Sequence, residues 1–260
     1  MSDTEFFDLP RPRVIAHRGA SGTFPENTLA SFKAARDIGA PYIELDVHMT
    51  RDGRVVVSHD PDLTRMSGLD SLITTLTYDQ LRQADAGYNF AEADGSYAFR
   101  GRGLKIPMLS EVLAAVPELR VVIEIKQLGP SLVKPLLEVV DQAGMRRRVL
   151  IASEFKPPLD EARALAPDIP TNFSSPEVGD FFRAMVSKMA EYKPPAPALE
   201  VPPEYEGFVL VTPESIAAAH QVGVEVHVWT VDEESEMRRL LALGVDGIIT
   251  NFPERMLKLI

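Results

Sequence analysis

Short apolar runs alternate with amphipathic patterns of helical period along almost the whole chain. The apolar runs predict eight strands, at Val14–Ala16 (ending at His17), Tyr42–Val47, Val121–Ile125, Val149–Ala152, Thr171–Ser174, Ala198–Val201, Val224–Trp229 and Gly247–Thr250. The amphipathic patterns predict helices at Glu26–Ile38, Leu109–Val116, Leu132–Ala143, Leu159–Leu165, Val178–Tyr192, Pro213–Gln221, Glu233–Leu243 and Pro253–Ile260. A strand followed by a helix, repeated in this way, is typical of a parallel α/β fold.

The segment of residues 55 to 105 departs from this alternation, because it is far too long for one strand-to-helix connection. It opens with a further strand pattern at Val55–Val57 and then carries several glycines. We predict an insertion after the second strand, folded over one end of the sheet. A chain of 260 residues otherwise suits a single domain, residues 1–260, built as a TIM (β/α)₈ barrel.

Composition narrows the classes of function. The net charge of −11 disfavours nucleic-acid binding, which needs clustered basic residues, but permits a small substrate with one phosphate. The absence of cysteine excludes disulfides and thiolate metal sites. The segment Met1–Pro10 lacks the apolar core of a signal peptide, and no run approaches the roughly 18 apolar residues of a membrane span. A cytoplasmic protein is the expectation.

Charged residues occupy strand positions that a buried parallel barrel normally fills with apolar side chains. In Tyr42–Val47, a period of two directs Ile43, Leu45 and Val47 towards the helices and therefore directs Glu44 and Asp46 into the barrel. The same alternation directs Glu124 and Lys126 inward from the third strand, and His227 and Trp229 inward from a later one.

Two interpretations of these charges remain open from spacing alone. Converging buried carboxylates need a compensating cation, and an all-oxygen set favours a hard divalent metal, Mg²⁺ or Ca²⁺. The alternative is a structural ion-pair network of Glu44, Asp46 and Glu124 with Arg18 and Lys126. Convergence of several strand ends on the face where barrel active sites lie favours the metal site.

Two of the five histidines stand at predicted loop mouths, where catalytic groups concentrate. His17 ends the first strand, and His59 follows the Val55–Val57 strand. Such a pair can share acid and base duties near neutral pH. We expect His48 to lie at the rim and His220 to be structural, whereas the pattern leaves His227 undecided.

An ordered set of motifs now becomes recognisable. Ala16-His17-Arg18-Gly19, Pro25-Glu26-Asn27-Thr28, Glu44-Leu45-Asp46-Val47, Asp52-Gly53, His59-Asp60, Ile106-Pro107, Glu124-Ile125-Lys126, Val228-Trp229-Thr230-Val231 and Gly244-Val245-Asp246-Gly247-Ile248-Ile249-Thr250 follow in sequence. Together they resemble the glycerophosphodiester phosphodiesterase family over almost the whole chain, from about Val14 to Pro253.

The resemblance implies a TIM barrel with a small insertion, and a metal-dependent hydrolysis of glycerophosphodiesters to glycerol 3-phosphate and an alcohol. It implies Glu44, Asp46 and Glu124 as ligands of Mg²⁺ or Ca²⁺, and His17 and His59 as general acid and base. Arg18 and Lys126 would hold phosphate oxygens, with Trp229 lining the glycerol pocket.

Two positions depart from the family pattern. Asn251 stands where the family often has Asp, and Met108 where Thr is frequent. We expect both to affect local capping rather than chemistry.

Other readings concern the substrate and the class of protein. A lysophospholipase D, or a cyclising phospholipase D-like enzyme, would use the same barrel and polar residues. In that case Leu63, Met66, Leu69, Leu72 and Ile73 would line an acyl groove, whereas we expect them to pack the insertion onto the barrel. A non-catalytic binding protein would be expected to lack at least one of the polar residues named above.

Overall fold

The computed structural model describes residues 4–187 and 189–260. Its strands are β1 (Arg13–His17), β2 (Tyr42–Met49), β3 (Val55–Val57), β4 (Asp62–Leu63), β5 (Leu69–Leu72), β6 (Arg120–Ile125), β7 (Val149–Ala152), β8 (Ala198–Val201), β9 (Glu204–Tyr205), β10 (Phe208–Val209), β11 (Glu225–Val228) and β12 (Gly247–Thr250). Its α-helices are α1 (Leu29–Ile38), α2 (Thr64–Ser67), α3 (Tyr78–Leu81), α4 (Leu109–Ala115), α5 (Val133–Gln142), α6 (Lys156–Leu165), α7 (Ser175–Ser187), α8 (Pro213–Gln221), α9 (Glu234–Leu243) and α10 (Pro253–Leu257), and 3₁₀ turns lie at Ile73–Thr75 and Met189–Glu191.

Two expectations from the sequence concern residues outside the described ranges. The absence of a signal peptide in Met1–Pro10 concerns residues 1–3 in part, and the predicted Val178–Tyr192 helix includes Lys188. Within the described residues, no helix combines the length and apolarity that crossing a membrane requires.

Seven parallel strands form a curled sheet in the order β7-β6-β2-β1-β12-β11-β8. The edges are joined through a two-residue segment, since Thr171 bridges Ile151 of β7 and Asn172 bridges Ala198 of β8, both in parallel. The predicted (β/α)₈ barrel is confirmed.

The predicted strand Thr171–Ser174 is wrong, because only those two isolated bridges form there. The Glu177 carboxylate accepts hydrogen bonds from the backbone N and the hydroxyl of Ser174, which starts α7 at Ser175 and ends the extended chain. This helix therefore begins earlier than the predicted Val178.

Helix α1 begins at Leu29, three residues later than predicted. Thr28 is its N-cap and accepts a hydrogen bond from the backbone N of Ser31, while Ser31 caps it reciprocally. Asn27 has a φ of 56°, so Glu26 and Asn27 belong to the loop. The helix ends at Ile38 as predicted, where Gly39 follows with a φ of 96°.

The barrel strands are largely apolar on both faces, with charged residues near their ends. Outward residues of β2, including Ile43 and Leu45, pack in one core cluster with residues of α1, α4 and α5. The inner face at the other end of the barrel is filled by Ile15, Tyr42, Val122, Leu150, Ala198 and Ile249, with Phe6 of the N-terminal segment. The candidate carboxylates lie at the carboxyl end of the barrel, whereas buried Arg13 pairs with Glu225 at 2.7 Å at the amino ends of β1 and β11.

The residues between β2 and β6 have an apolar core of their own. Strand β3 pairs antiparallel with β2, and β4 and β5 form a separate hairpin. Leu63, Met66 and Ile73 are buried there with Val56 and Ile106, as expected of residues that pack this segment onto the barrel. Leu69 and Leu72 are 48% and 50% exposed, so they do not belong to that core.

Candidate active site

Three carboxylates converge at the carboxyl ends of β2 and β6. Asp46 and Glu124 are partners in the parallel register of these strands, and Glu44 lies on the same face of β2, two residues earlier. One oxygen from each of Glu44, Asp46 and Glu124 lies within 4.8 Å of the others. Glu44 and Asp46 are buried. The inward alternation predicted for these strands is confirmed.

Some carboxylate oxygens of this cluster have no hydrogen-bond donor. Among the residues that the structure describes, neither Glu44 Oε1 nor Asp46 Oδ1 has a hydrogen-bond partner, although both are buried. Burial, together with the charges of Asp46 and Glu124, raises the pKa of Glu44 well above its usual value. Burial likewise raises the pKa of Glu124 to about 7, against the opposing effect of Lys126. Buried oxygens without donors, all from carboxylates, fit a hard divalent cation.

Two basic side chains, those of Arg18 and Lys126, lie next to the carboxylates. Arg18 donates its backbone N–H to Glu44 at 3.0 Å, and its Nε lies 3.2 Å from Asp46 Oδ2. Lys126 Nζ donates to Glu124 Oε1 at 2.7 Å and lies 3.7 Å from Asp46 Oδ1. Arg18 is shared with a further carboxylate, Glu26, at 3.0 Å. Ion pairing is thus present, but it leaves negative charge and unpartnered oxygens in the cluster.

His17 is placed at the cluster by strand pairing on both sides of β1. It is the register partner of Glu44 on β2, and its Nε2 lies 3.9 Å from Glu44 Oε2. On the other side, Ala16 pairs with Thr250, so the next residue, Asn251, reaches His17 Nδ1 at 2.8 Å. Burial, followed by the charge of Arg18, lowers the pKa of His17 to about 4. The imidazole is therefore neutral near pH 7.

His59 lies in the loop that follows β3 and is held by two contacts. Its Nδ1 lies 2.8 Å from Asp60 Oδ1, and its carbonyl oxygen lies 3.1 Å from His48 Nε2. His48 is buried, so the prediction that it lies at the rim is wrong. Its period-two relation to Glu44 and Asp46 on β2 was the available signal.

Several neighbours of these residues were not singled out by the sequence patterns. Asn27 donates through Nδ2 to Asp46 Oδ2 at 2.9 Å. Arg65 of α2 donates to both oxygens of Glu26 and, through Nε, to Asp60. Arg65 thus connects the side chains that hold Arg18 and His59. Glu26 and Asn27 stand within a motif that carried the resemblance, whereas no local pattern marks Arg65.

The remaining predicted positions lie apart from the carboxylate cluster or at its edge. Trp229 follows β11 and is 42% exposed. His227 is buried inside the barrel between Glu200 and Glu225. His220 contacts Asp246 at 2.6 Å, in keeping with a structural role. Met108 is the N-cap of α4, and its backbone N donates to Glu111, which agrees with the expected role in local capping. The side chain of Asn251 instead contacts His17, a candidate catalytic residue.

Comparison with known proteins identifies the family. The profile of the Glycerophosphoryl diester phosphodiesterase family matches residues 17–255. A glycerophosphodiester phosphodiesterase of Caldanaerobacter subterraneus subsp. tengcongensis is 32% identical over 95% of this chain and 97% of its own length. The mouse lysophospholipase D GDPD1 is 29% identical over 94% of this chain and 84% of its own.

A solved structure extends the similarity to three dimensions. An Oleispira antarctica phosphodiesterase in complex with the product sn-glycerol-3-phosphate superimposes with a TM-score of 0.79 at 26% identity, covering 95% of this chain and 96% of that one. The profile match begins at the last residue of β1 and includes every candidate residue described above. The chain therefore belongs to the glycerophosphoryl diester phosphodiesterase family and is an enzyme of the phosphoric diester hydrolase class.

Proposed function

We propose that this enzyme hydrolyses small glycerophosphodiesters to glycerol 3-phosphate and an alcohol, with Mg²⁺ or Ca²⁺ held by Glu44, Asp46 and Glu124. The observation that carries the proposal is the carboxylate cluster with its buried, unpartnered oxygens, flanked by His17 and by the loop of His59. The sn-glycerol-3-phosphate complex of the Oleispira antarctica relative supports the choice of product.

The bound cation would act as a Lewis acid that lowers the energy of negative charge developing on the phosphoryl oxygens. Arg18 and Lys126 supply fixed positive charge beside it, and we assign them to phosphate oxygens. Their present partners are Asp46, Glu26 and Glu124, so both side chains already point at the carboxylate cluster. Trp229, exposed at the end of β11, is assigned to the wall of the glycerol pocket.

We assign His17 as the general base. The amide oxygen of Asn251 accepts from Nδ1, which leaves the lone pair of Nε2 on the side of Glu44. An amide partner is neutral and stabilises an imidazolium less than a carboxylate does. Nε2 would take the proton of the attacking hydroxyl, from water or from the glycerol 2-hydroxyl, as the new P–O bond forms.

We assign His59 as the general acid. Its Nδ1 lies 2.8 Å from Asp60 Oδ1, and because a carboxylate only accepts, Nδ1 is the donor in this contact and Nε2 faces away from Asp60. Nε2 would donate its proton to the alcohol oxygen as the bond from phosphorus to that oxygen breaks. If water attacks, the base gains one proton and the acid loses one, and proton exchange with solvent restores both. If the glycerol 2-hydroxyl attacks, water must then open the cyclic phosphate with the two histidines in reversed roles, which gives glycerol 3-phosphate and restores both.

The test is a change of leaving group. His17→Ala and His59→Ala are each expected to lower turnover of glycerophosphocholine by at least about 10²-fold. A p-nitrophenyl ester of glycerol phosphate has a leaving group that needs no proton, so it should restore turnover in His59→Ala and not in His17→Ala. Rescue of His17→Ala alone would reverse the assignment, and near-native turnover of either variant on glycerophosphocholine would remove that residue from the mechanism.

A lysophospholipase D activity is the second candidate, supported by the exposure of Leu69 and Leu72 on β5 and by the mouse relative. Turnover of a lysophospholipid is compared with that of glycerophosphocholine. If β5 holds an acyl chain, replacing both leucines by serine lowers only the lysophospholipid rate. Equal effects on both substrates, or none, would leave the small glycerophosphodiester as the substrate.

A further inference from the structure

Asn251 makes the closest side-chain contact of the His17 ring. Its Oδ1 lies 2.8 Å from His17 Nδ1 and accepts a second hydrogen bond from the hydroxyl of Ser21 at 2.7 Å. The single hydroxyl hydrogen of Ser21 is shared with the backbone carbonyl oxygen of His17, which lies 2.6 Å from the same hydroxyl. The ring and the backbone of His17 are therefore both connected to Asn251.

The orientation of the Asn251 amide is determined by Asp232. One carboxylate oxygen of Asp232 accepts from Asn251 Nδ2 at 2.7 Å, and the other accepts from the backbone N of Asn251 at 2.8 Å and from Thr250 Oγ1 at 3.0 Å. A carboxylate only accepts, so the NH₂ group of the amide must face Asp232. Its oxygen must then face His17.

An amide oxygen has no proton to donate, so His17 Nδ1 must carry the hydrogen in this contact. The neutral ring is therefore the Nδ1–H tautomer, and its Nε2 is the unprotonated nitrogen on the side of Glu44. The opposite tautomer would place a hydrogen on the atom that has to accept one.

We propose that Asn251, oriented by Asp232, is a positioning residue that holds His17 in the tautomer required of a general base. The proposal rests on the base role assigned to His17 above. It extends the site by Asn251, which follows β12, and Asp232 of the β11–α9 loop; in the described part of the chain neither side chain is hydrogen-bonded to the carboxylate cluster. Asn251 thus acts on the reaction through His17.

Exchanging the acid and the amide of this pair tests the proposal. In Asp232→Asn, an NH₂ group replaces the carboxylate oxygen that accepts from Asn251 Nδ2. The side-chain amide of Asn251 should then flip, so that its oxygen faces residue 232 and its NH₂ group faces His17. This selects the Nε2–H tautomer. The double variant N251D/D232N restores an acceptor facing His17, and Asn251→Asp alone also retains one.

The first readout is the tautomer of His17, measured from the ¹⁵N shifts of both ring nitrogens in metal-free, histidine-labelled protein and assigned by loss of the signal in His17→Gln. Nδ1–H is expected in the wild type, Asn251→Asp and the double variant, and Nε2–H in Asp232→Asn. An unchanged tautomer in folded Asp232→Asn overturns the proposal. If that variant does not fold, loss of the Nδ1–H form in Asn251→Asp overturns it instead.

The second readout is kinetic, on glycerophosphocholine with saturating metal. Asp232→Asn should lower kcat by about 10²-fold, the scale of a general base, with KM nearly unchanged, and the double variant should recover most of the loss. The matched control is Asp37→Asn, which removes the charge of an exposed aspartate near the end of α1 (66% exposed). This variant should have the kcat and KM of the wild type. An inverted tautomer with wild-type kcat would refute the base role of His17 and leave the tautomer assignment standing.

Discussion

The Nε2 atom of His48 lies 3.1 Å from the backbone carbonyl oxygen of His59. A carbonyl oxygen only accepts, so His48 donates through Nε2, and burial lowers the pKa of His48, which keeps its ring neutral. The candidate acid therefore sits on a loop whose backbone is bonded to the barrel strand that carries Glu44 and Asp46. This contact relates the position of His59 to the carboxylate cluster.

Replacing His48 by leucine should lower kcat by about 10- to 100-fold, because small displacements of a catalytic group carry penalties of that order. Metal affinity should be unchanged, since the carboxylates are untouched. Steady-state kinetics on glycerophosphocholine provide the measurement. His48→Gln keeps an amide donor and should retain more activity than the leucine variant; equal kcat in all three proteins would contradict a positioning role.

Removal of the metal should abolish turnover, and either Mg²⁺ or Ca²⁺ should restore it. Binding should also stabilise the fold, by about 2.7 kcal/mol when free metal exceeds its Kd about 100-fold. The readout is the free energy of unfolding with and without metal. Glu124→Gln should lose this stabilisation, whereas the exposed control Glu118→Gln should keep it. Full turnover after thorough metal stripping would refute the site.

The pH dependence of stability should depend on His227. Its Nδ1 lies 3.4 Å from Glu200 and its Nε2 lies 3.2 Å from Glu225, and these carboxylates overcome burial to raise the pKa of His227 to about 9. The folded value exceeds the unfolded value of about 6.5. The resulting stabilisation is therefore fully present below about pH 6.5 and is lost as the pH rises through about 9.

The corresponding variant is His227→Gln. The difference in unfolding free energy between wild type and variant should be largest near pH 6 and smaller by roughly 3 kcal/mol near pH 9.5. Denaturant unfolding at both pH values measures it. A difference that is the same at both pH values would show that His227 does not gain a proton on folding.

Gly19 should tolerate substitution much less than Gly39. Both have positive φ, 84° and 96°, so alanine strains the backbone at either position by about 1 kcal/mol. A Cβ at Gly19 would also lie 2.6 Å from the backbone carbon of Ser31, whereas nothing lies within 4 Å at Gly39. Thermal unfolding of the two alanine variants should show the larger loss for Gly19→Ala, and equal losses would contradict the close packing.

Much of the barrel and the acidic cluster followed from local pattern. The bounds of β7, β8 and β12 agree with the predicted strands to the residue, because short apolar runs between turns reflect strands buried on both faces. The inward direction of Glu44 and Asp46 followed from the alternation of side chains along any strand. Where local pattern and neighbouring contacts compete, as at Thr171–Ser174, the prediction failed.

The sequence by itself therefore determined most of the barrel strands, the inward direction of the acidic residues on β2 and β6, and the chemistry that those residues share. Only the tertiary structure decided which of them meet. Asn251 reaches His17 across 234 positions of sequence because β1 closes against β12, and Arg65 reaches Glu26 across 39 because α2 folds back over the loop before α1. Such contacts depend on strand order and register, which are properties of the closed barrel and leave no periodic signal along the chain.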